Sequence, residues 1–178
     1  MKTLKKIITL LITIAVILPA DLGTKYWAEN YLKPLPWNNG HQLVVIPGFW
    51  SFCYVENRNI GFSFLSFLDE FISPLAKRIL IIILQLGAAS FLAWYYFRDL
   101  HFSGYFVPVS MLIASALGNA LDRIIRGYVV DFVMWYAPAI PLEIFNPWPI
   151  FNIADSMVVI GVCLLGIQYF FFDKNRHA

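Results

Sequence analysis

Asp131 and Asp155 are the residues of this chain that packing explains least. Asp131 sits in Gly127-Tyr128-Val129-Val130-Asp131-Phe132, with apolar neighbours and no adjacent cation in sequence. Asp155 opens the last apolar run, after Phe151-Asn152-Ile153-Ala154. An ionisable group at membrane depth costs about 2.5–3.5 kcal/mol on insertion scales, which makes each a candidate for function. Two carboxyls at the mouth of one apolar bundle could do general acid–base chemistry. They cannot both ionise cheaply, so one keeps a proton. The other then acts as base toward a water, while the protonated one serves the carbonyl oxygen or the leaving group. That is the machinery of metal-free peptide hydrolysis. Asp155 also has a plainer reading, an aspartate capping a helix N-terminus.

Three more polar clusters flank the apolar runs. Asp21 and Lys25 in Asp21-Leu22-Gly23-Thr24-Lys25 stand four apart and share a helix face, either as part of a site or as an ion pair anchoring a helix end. Asn119 and Asp122 in Gly118-Asn119-Ala120-Leu121-Asp122-Arg123 also share a face; an Asp–Arg pair at a helix end, with Asn meeting stray carbonyls, fits them equally well. Asn57-Arg58-Asn59 lies in a loop.

The elements that position these groups follow from composition. The 178 residues are 60% hydrophobic, 17% aromatic and 13% charged, a balance that points to an integral membrane protein. A net charge of +2 without a basic run gives no reason to expect nucleic acid. His41, His101 and His177 are scattered, and Cys53, in a polar loop region, and Cys163, in an apolar run, form neither a disulfide framework nor a metal-ligand spacing, so no metal or cofactor is expected.

About 20 helical residues cross the hydrocarbon core, and four apolar runs qualify, at about 7–27, 71–97, 105–121 and 154–172. The basic start Met1-Lys2-Thr3-Leu4-Lys5-Lys6 resembles the head of a secretory signal. No small-x-small cleavage site follows, and the run continues to Trp27, so a retained first helix is expected. Lys2, Lys5, Lys6, Arg98, Lys174 and Arg176 crowd the tails and one tight loop, which favours both termini in the cytoplasm. The long loops, about 28–70 and 122–153, then lie outside. In the first, 43–46 and 49–55 flank Pro47-Gly48 and read as a β-hairpin, while 62–71 is a strand or an interfacial helix. The second is rich in proline and aromatics, which gather at membrane interfaces. The expected architecture is a mainly α, polytopic membrane protein, a single domain of four transmembrane helices with a small extracytoplasmic β-structured platform.

At these residues the chain resembles the lipoprotein signal peptidases, the type II signal peptidases of bacterial inner membranes. Five patterns carry the resemblance in order: Asp-x-x-Thr-Lys at Asp21, Asn57 followed by Phe62-Ser63-Phe64-Leu65, Gly-Asn-x-x-Asp-Arg at Gly118, Gly-x-Val-x-Asp-Phe at Gly127, and Phe-Asn-x-Ala-Asp at Phe151. The resemblance implies an aspartic endopeptidase that cuts prolipoproteins before a diacylglyceryl-modified cysteine, with Asp131 and Asp155 as the dyad. It gives supporting roles to Asn119, Asp122, Arg123 and Asn152, places Asn57 near the substrate backbone, and has Asp21 and Lys25 shape the outer end of helix one. The signal helix would lie among the spans, the acyl chains would stay in lipid, and globomycin-type cyclic peptides would occupy the same groove. The active site would lie near the periplasmic face of the inner membrane.

Two departures stand out. Asn59 occupies a position where the family pattern has glycine, and an alternative alignment on Asn59-Ile60-Gly61 leaves open which asparagine fills the platform position. The stretch 135–149 is longer than the pattern and could form a lid or a membrane-dipping loop. A proton-coupled transporter and a non-catalytic scaffold remain rival readings. The first predicts acids at mid-span, and the second predicts that the clusters tolerate substitution separately.

Overall fold

The computed structural model describes residues 2–36, 42–59, 66–98, 103–139 and 146–172. The three histidines, Phe62-Ser63-Phe64-Leu65 and residues 140–145 of the proposed lid lie outside them. Four α-helices and three strands are present among the described residues. In chain order they are α1 (Lys2–Trp27), β1 (Leu43–Ile46), β2 (Trp50–Asn57), α2 (Pro74–Arg98), α3 (Phe106–Ile125), β3 (Val129–Trp135) and α4 (Ile153–Ile167). The helices form where the four apolar runs predict them. α1 continues through a π-helical turn, Ala28–Leu32, and α4 through another, Gln168–Phe172.

Three segments are long and apolar enough to cross a membrane: Thr3–Leu32, Pro74–Arg98 and Ile153–Phe172. Their apolar side chains point largely outward, with Leu11, Val16, Ile83, Phe91, Val159 and Phe170 all exposed. Exposed aliphatic surface on helices of spanning length is what lipid covers. α3 is different. It carries Ser110, Ser115, Asn119, Asp122 and Arg123 along its buried side, which dilutes its hydropathy. The two serine hydroxyls donate to carbonyls four residues back, Phe106 and Met111, so their burial leaves no donor unmet.

The chain divides into two compact units, 1–20 with 83–120 and 153–178, and 21–82 with 121–152. The first is helical. Tyr96, Phe106, Val109 and Ile113 form one core cluster, and Ile17, Met111 and Ala114 another. Gly161 lets α4 approach α3 closely: a Cβ there would lie 3.1 Å from the Pro108 carbonyl and from Leu112.

The second unit holds a three-stranded antiparallel sheet in the order β1-β2-β3. Pro47 and Gly48 make the hairpin turn. Gly48 has φ +74°, and the Phe49 amide donates to the Ile46 carbonyl at 3.1 Å, which is a type II turn. The segment 62–71, left between strand and helix by its periodicity, contains a short 3-10 helix at Ser66–Glu70.

β3 was not expected within the loop 122–153. Its residues Val129, Val130, Phe132 and Met134 are buried on both faces, so the alternation that marks a half-exposed strand is missing. Cys53, expected in a polar loop, is buried in β2. The stretch 135–149 is tied to the sheet at both described ends. The Tyr136 amide donates to the Phe49 carbonyl at 2.8 Å, and the Trp148 amide to the Trp135 carbonyl at 2.7 Å.

Candidate functional site

Asp131 belongs to the second unit and Asp155 to the first. Asp131 lies in the middle of β3, 2% exposed. Asn57 Nδ2 donates to its Oδ2 at 2.9 Å and Asn152 Nδ2 to its Oδ1 at 2.7 Å. A bulge in β2 makes the first bond possible. Phe52 pairs with Val133 but Val55 pairs with Asp131, so three residues of β2 advance against two of β3. That extra residue shifts the in–out alternation by one and brings Asn57 onto the face of Asp131, diagonal to it in the ladder. Asn57, not Asn59, meets this carboxylate. Asn59 uses its amide to cap the Asn57 side chain at 2.9 Å, and its side-chain oxygen accepts from Lys77.

Asp155 sits in the first turn of α4, where the helix N-terminus favours an anion. Asn119 Nδ2, projecting from α3, donates to its Oδ1 at 3.0 Å. Both aspartates named from sequence are therefore held by asparagine amides, which donate hydrogen bonds without adding charge.

Asp21, Lys25 and Asp122 come together as a buried group. Lys25 Nζ lies 2.7 Å from Asp21 and 3.3 Å from Asp122, with all three side chains at most 1% exposed. Asp21 and Lys25 thus form the ion pair that their spacing suggests, and it is buried, with Asp122 as a third member. Asp122 turns to Lys25 and to Arg126 as well, and Arg123 donates to the Asn59 carbonyl. Asp122 Oδ2 also accepts the Val130 amide at 3.1 Å, so the trio fixes the backbone one residue before Asp131.

Several polar residues here carry no motif and were missed from sequence. Arg126 bridges Asp122 and Glu29, and Arg78 donates to the Ile124 carbonyl at 2.7 Å, at the end of α3. Lys77 pairs with Asp69 at 2.6 Å. A cavity of about 850 Å³ is lined by Asp131, Asn57, Arg58, Lys77, Arg78 and Tyr128 among others. These cations scatter along the sequence, and only the tertiary fold gathers them.

Burial, and next the charge of Asp131, pushes the Cys53 thiol up from 9.0 to about 12. Burial likewise raises Tyr54, aided by its hydrogen bond with Tyr128. At Glu56 burial acts upward, but hydrogen bonds from Arg58 and Lys33 outweigh it and hold the carboxyl below its ordinary value. Among the described residues no three His, Cys, Asp or Glu side chains converge as a metal-ligand set.

Residues 12–171 match the family model of signal peptidase (SPase) II. The lipoprotein signal peptidase of Chlorobaculum parvum is 34% identical over 162 residues, covering 89% of this chain and 91% of its own. That of Thermodesulfovibrio yellowstonii is 36% identical over 154 residues, covering 86% and 88%. Two solved structures of a bacterial membrane enzyme, obtained by the in meso method, superpose with TM-scores of 0.73 and 0.71 at 28% identity. They cover 94% and 92% of this chain and 91% and 94% of their own. The family match includes every candidate site residue, Asp21 through Asp155, and the chain belongs to the signal peptidase II family of membrane proteases.

Proposed function

We propose that this protein is an aspartic endopeptidase that removes signal peptides from prolipoproteins, cutting before a diacylglyceryl-modified cysteine, with Asp131 and Asp155 as its catalytic pair. The observation that carries the reading is the treatment of the two carboxylates. Asparagine amides hold both, Asn57 and Asn152 on Asp131 and Asn119 on Asp155, and these bonds orient each carboxyl without themselves adding charge. The family membership and the names of the relatives support the substrate class.

In this reading one carboxylate takes a proton from a water, whose oxygen attacks the scissile carbonyl carbon. The other carboxyl gives its proton to the carbonyl oxygen, and a tetrahedral diol forms. Collapse breaks the C–N bond, the amine of the cysteine leaves with a proton returned by the pair, and the signal peptide keeps the carboxyl. No covalent enzyme adduct forms. Asn57, Asn119 and Asn152 orient the carboxyls, while Asp21, Lys25, Asp122 and Arg123 hold the frame around β3.

The chain acts as one membrane-embedded domain with four spans, α3 being the polar one, in the bacterial inner membrane. Both termini are cytoplasmic and the site faces the periplasm. Burial of each acyl methylene contributes about 0.8 kcal/mol, so the substrate's lipid supplies much of its recognition. Globomycin-type cyclic peptides would compete for the same groove.

The test uses purified protein in detergent, a diacylglyceryl-modified prolipoprotein and its unlipidated twin, with products mapped by mass. Cleavage of the lipidated substrate alone, directly before the modified cysteine and indifferent to chelator, is expected. Equal cleavage of both substrates, or cleavage elsewhere, would contradict the lipid-dependent reading.

A further inference from the structure

The β1–β2 hairpin presents a surface that packing among the described residues leaves unused. All four side chains of β1, Leu43-Val44-Val45-Ile46, are between 41% and 55% exposed. Alternate residues of a strand face opposite ways, so β1 is apolar and uncovered on both faces. At the turn, Phe49 is exposed and stacks on Trp135, itself exposed, with ring centroids 6.5 Å apart. From residue 34 to residue 55 the sequence has no Asp, Glu, Lys or Arg. β1 is the edge strand of the sheet. In water such an edge is commonly guarded by charged side chains against pairing with another chain; this one carries none.

We propose that the hairpin is seated in the interfacial zone of the lipid bilayer, with Leu43, Val44, Val45, Ile46 and Phe49 among headgroups and upper acyl chains. Continuity selects lipid as the occupant. The sheet packs on the end of the first spanning segment: Phe52 meets Trp27 edge-on at 5.3 Å, and β2 and β3 contact the turn Ala28–Leu32. That same helix end exposes Tyr26 and Tyr31. The hairpin is therefore attached where the span gives way to water, the level at which tyrosine and tryptophan collect.

Backbone chemistry bounds the depth. Lipid-exposed sheet edges do not occur in hydrocarbon, because nothing there satisfies their N–H and C=O groups. The edge of β1 must stay within reach of water or of ester carbonyls, so the seat is shallow. Its consequence is positional. β2 ends at Asn57, which bonds Asp131 on the neighbouring strand, so the seat sets the height of Asp131 against the bilayer. The seat itself goes beyond the proposed hydrolysis and holds whichever residues catalyse it.

The experiment uses the full chain with Cys163→Ser and a single added cysteine, Val44→Cys in one variant and Ile46→Cys in another. Each is labelled with a polarity-sensitive fluorophore in phosphatidylcholine–phosphatidylglycerol vesicles, with Cys53 left buried. Quenchers are placed near the lipid headgroup, at mid-chain, and in water as iodide. The interfacial seat predicts that the headgroup-level quencher exceeds each of the other two by about two-fold or more at both positions. Strongest quenching by iodide would overturn it, and so would strongest quenching at mid-chain. Self-quenching that grows with protein density would instead show two copies pairing at β1, and would also overturn it.

Discussion

Asn152 donates to Asp131 across 2.7 Å with both side chains shut away from solvent. With Asn57 on the other oxygen, the carboxylate has its rotation fixed from two sides. A hydrogen bond to a charged group contributes about 1.5–3 kcal/mol, which corresponds to roughly 10- to 100-fold in rate if it is lost from the transition state. Asn152→Ala is expected to lower kcat by that order while leaving KM nearly unchanged. A change confined to KM, measured with lipidated substrate, would place Asn152 in substrate binding instead.

The buried trio of Asp21, Lys25 and Asp122 makes a different prediction. Removing one partner of a buried charge group leaves the others uncompensated and costs about 3–5 kcal/mol. Lys25→Met should lower the thermal midpoint in detergent sharply. The triple variant Asp21→Asn, Lys25→Met, Asp122→Asn should lower it less than Lys25→Met alone. A triple variant worse than the single one would show that the attraction, and not the uncompensated charge, dominates.

Gly127 ends α3 with φ +92°, a conformation that side chains resist, and a Cβ there would press within 3.3 Å of Arg78 Nη1. Gly127→Ala should destabilise by about 1–2 kcal/mol through strain at this position. Since β3 starts two residues later, activity should fall along with the thermal midpoint. An unchanged midpoint would mean the turn adapts without cost.

Cys53 offers a pH-dependent readout. Its thiol rises from 9.0 to about 12, from burial first and Asp131 second. A folded value raised in this way gives stability that is complete below about 9 and lost as pH climbs toward the folded value. The native protein should leave Cys53 unmodified by maleimide at neutral pH and expose it after unfolding in SDS. Cys53→Ser should flatten the alkaline loss of stability. Rapid labelling of native Cys53 would contradict the burial.

The helices were legible in sequence because their apolar runs are long, and the hairpin because Pro47-Gly48 interrupts two apolar stretches. β3 was hidden, since burial on both faces erases the alternation that marks a strand. The same burial made Asp131 conspicuous, one acid in an apolar run. The partners of the named residues were harder to read. Asn57 reaches Asp131 only because a bulge shifts the register by one residue, and Arg126 meets Glu29 across 97 positions of chain. No local spacing encodes either contact.

The central claim is that Asp131 and Asp155 together perform the hydrolysis. The most direct measurement compares the wild-type chain with Asp131→Asn and Asp155→Asn on the diacylglyceryl-modified substrate, after matched thermal midpoints show that each variant is folded. The account predicts that each single substitution abolishes cleavage and that the double substitution removes nothing further. Cleavage surviving in either folded single variant would contradict the pair.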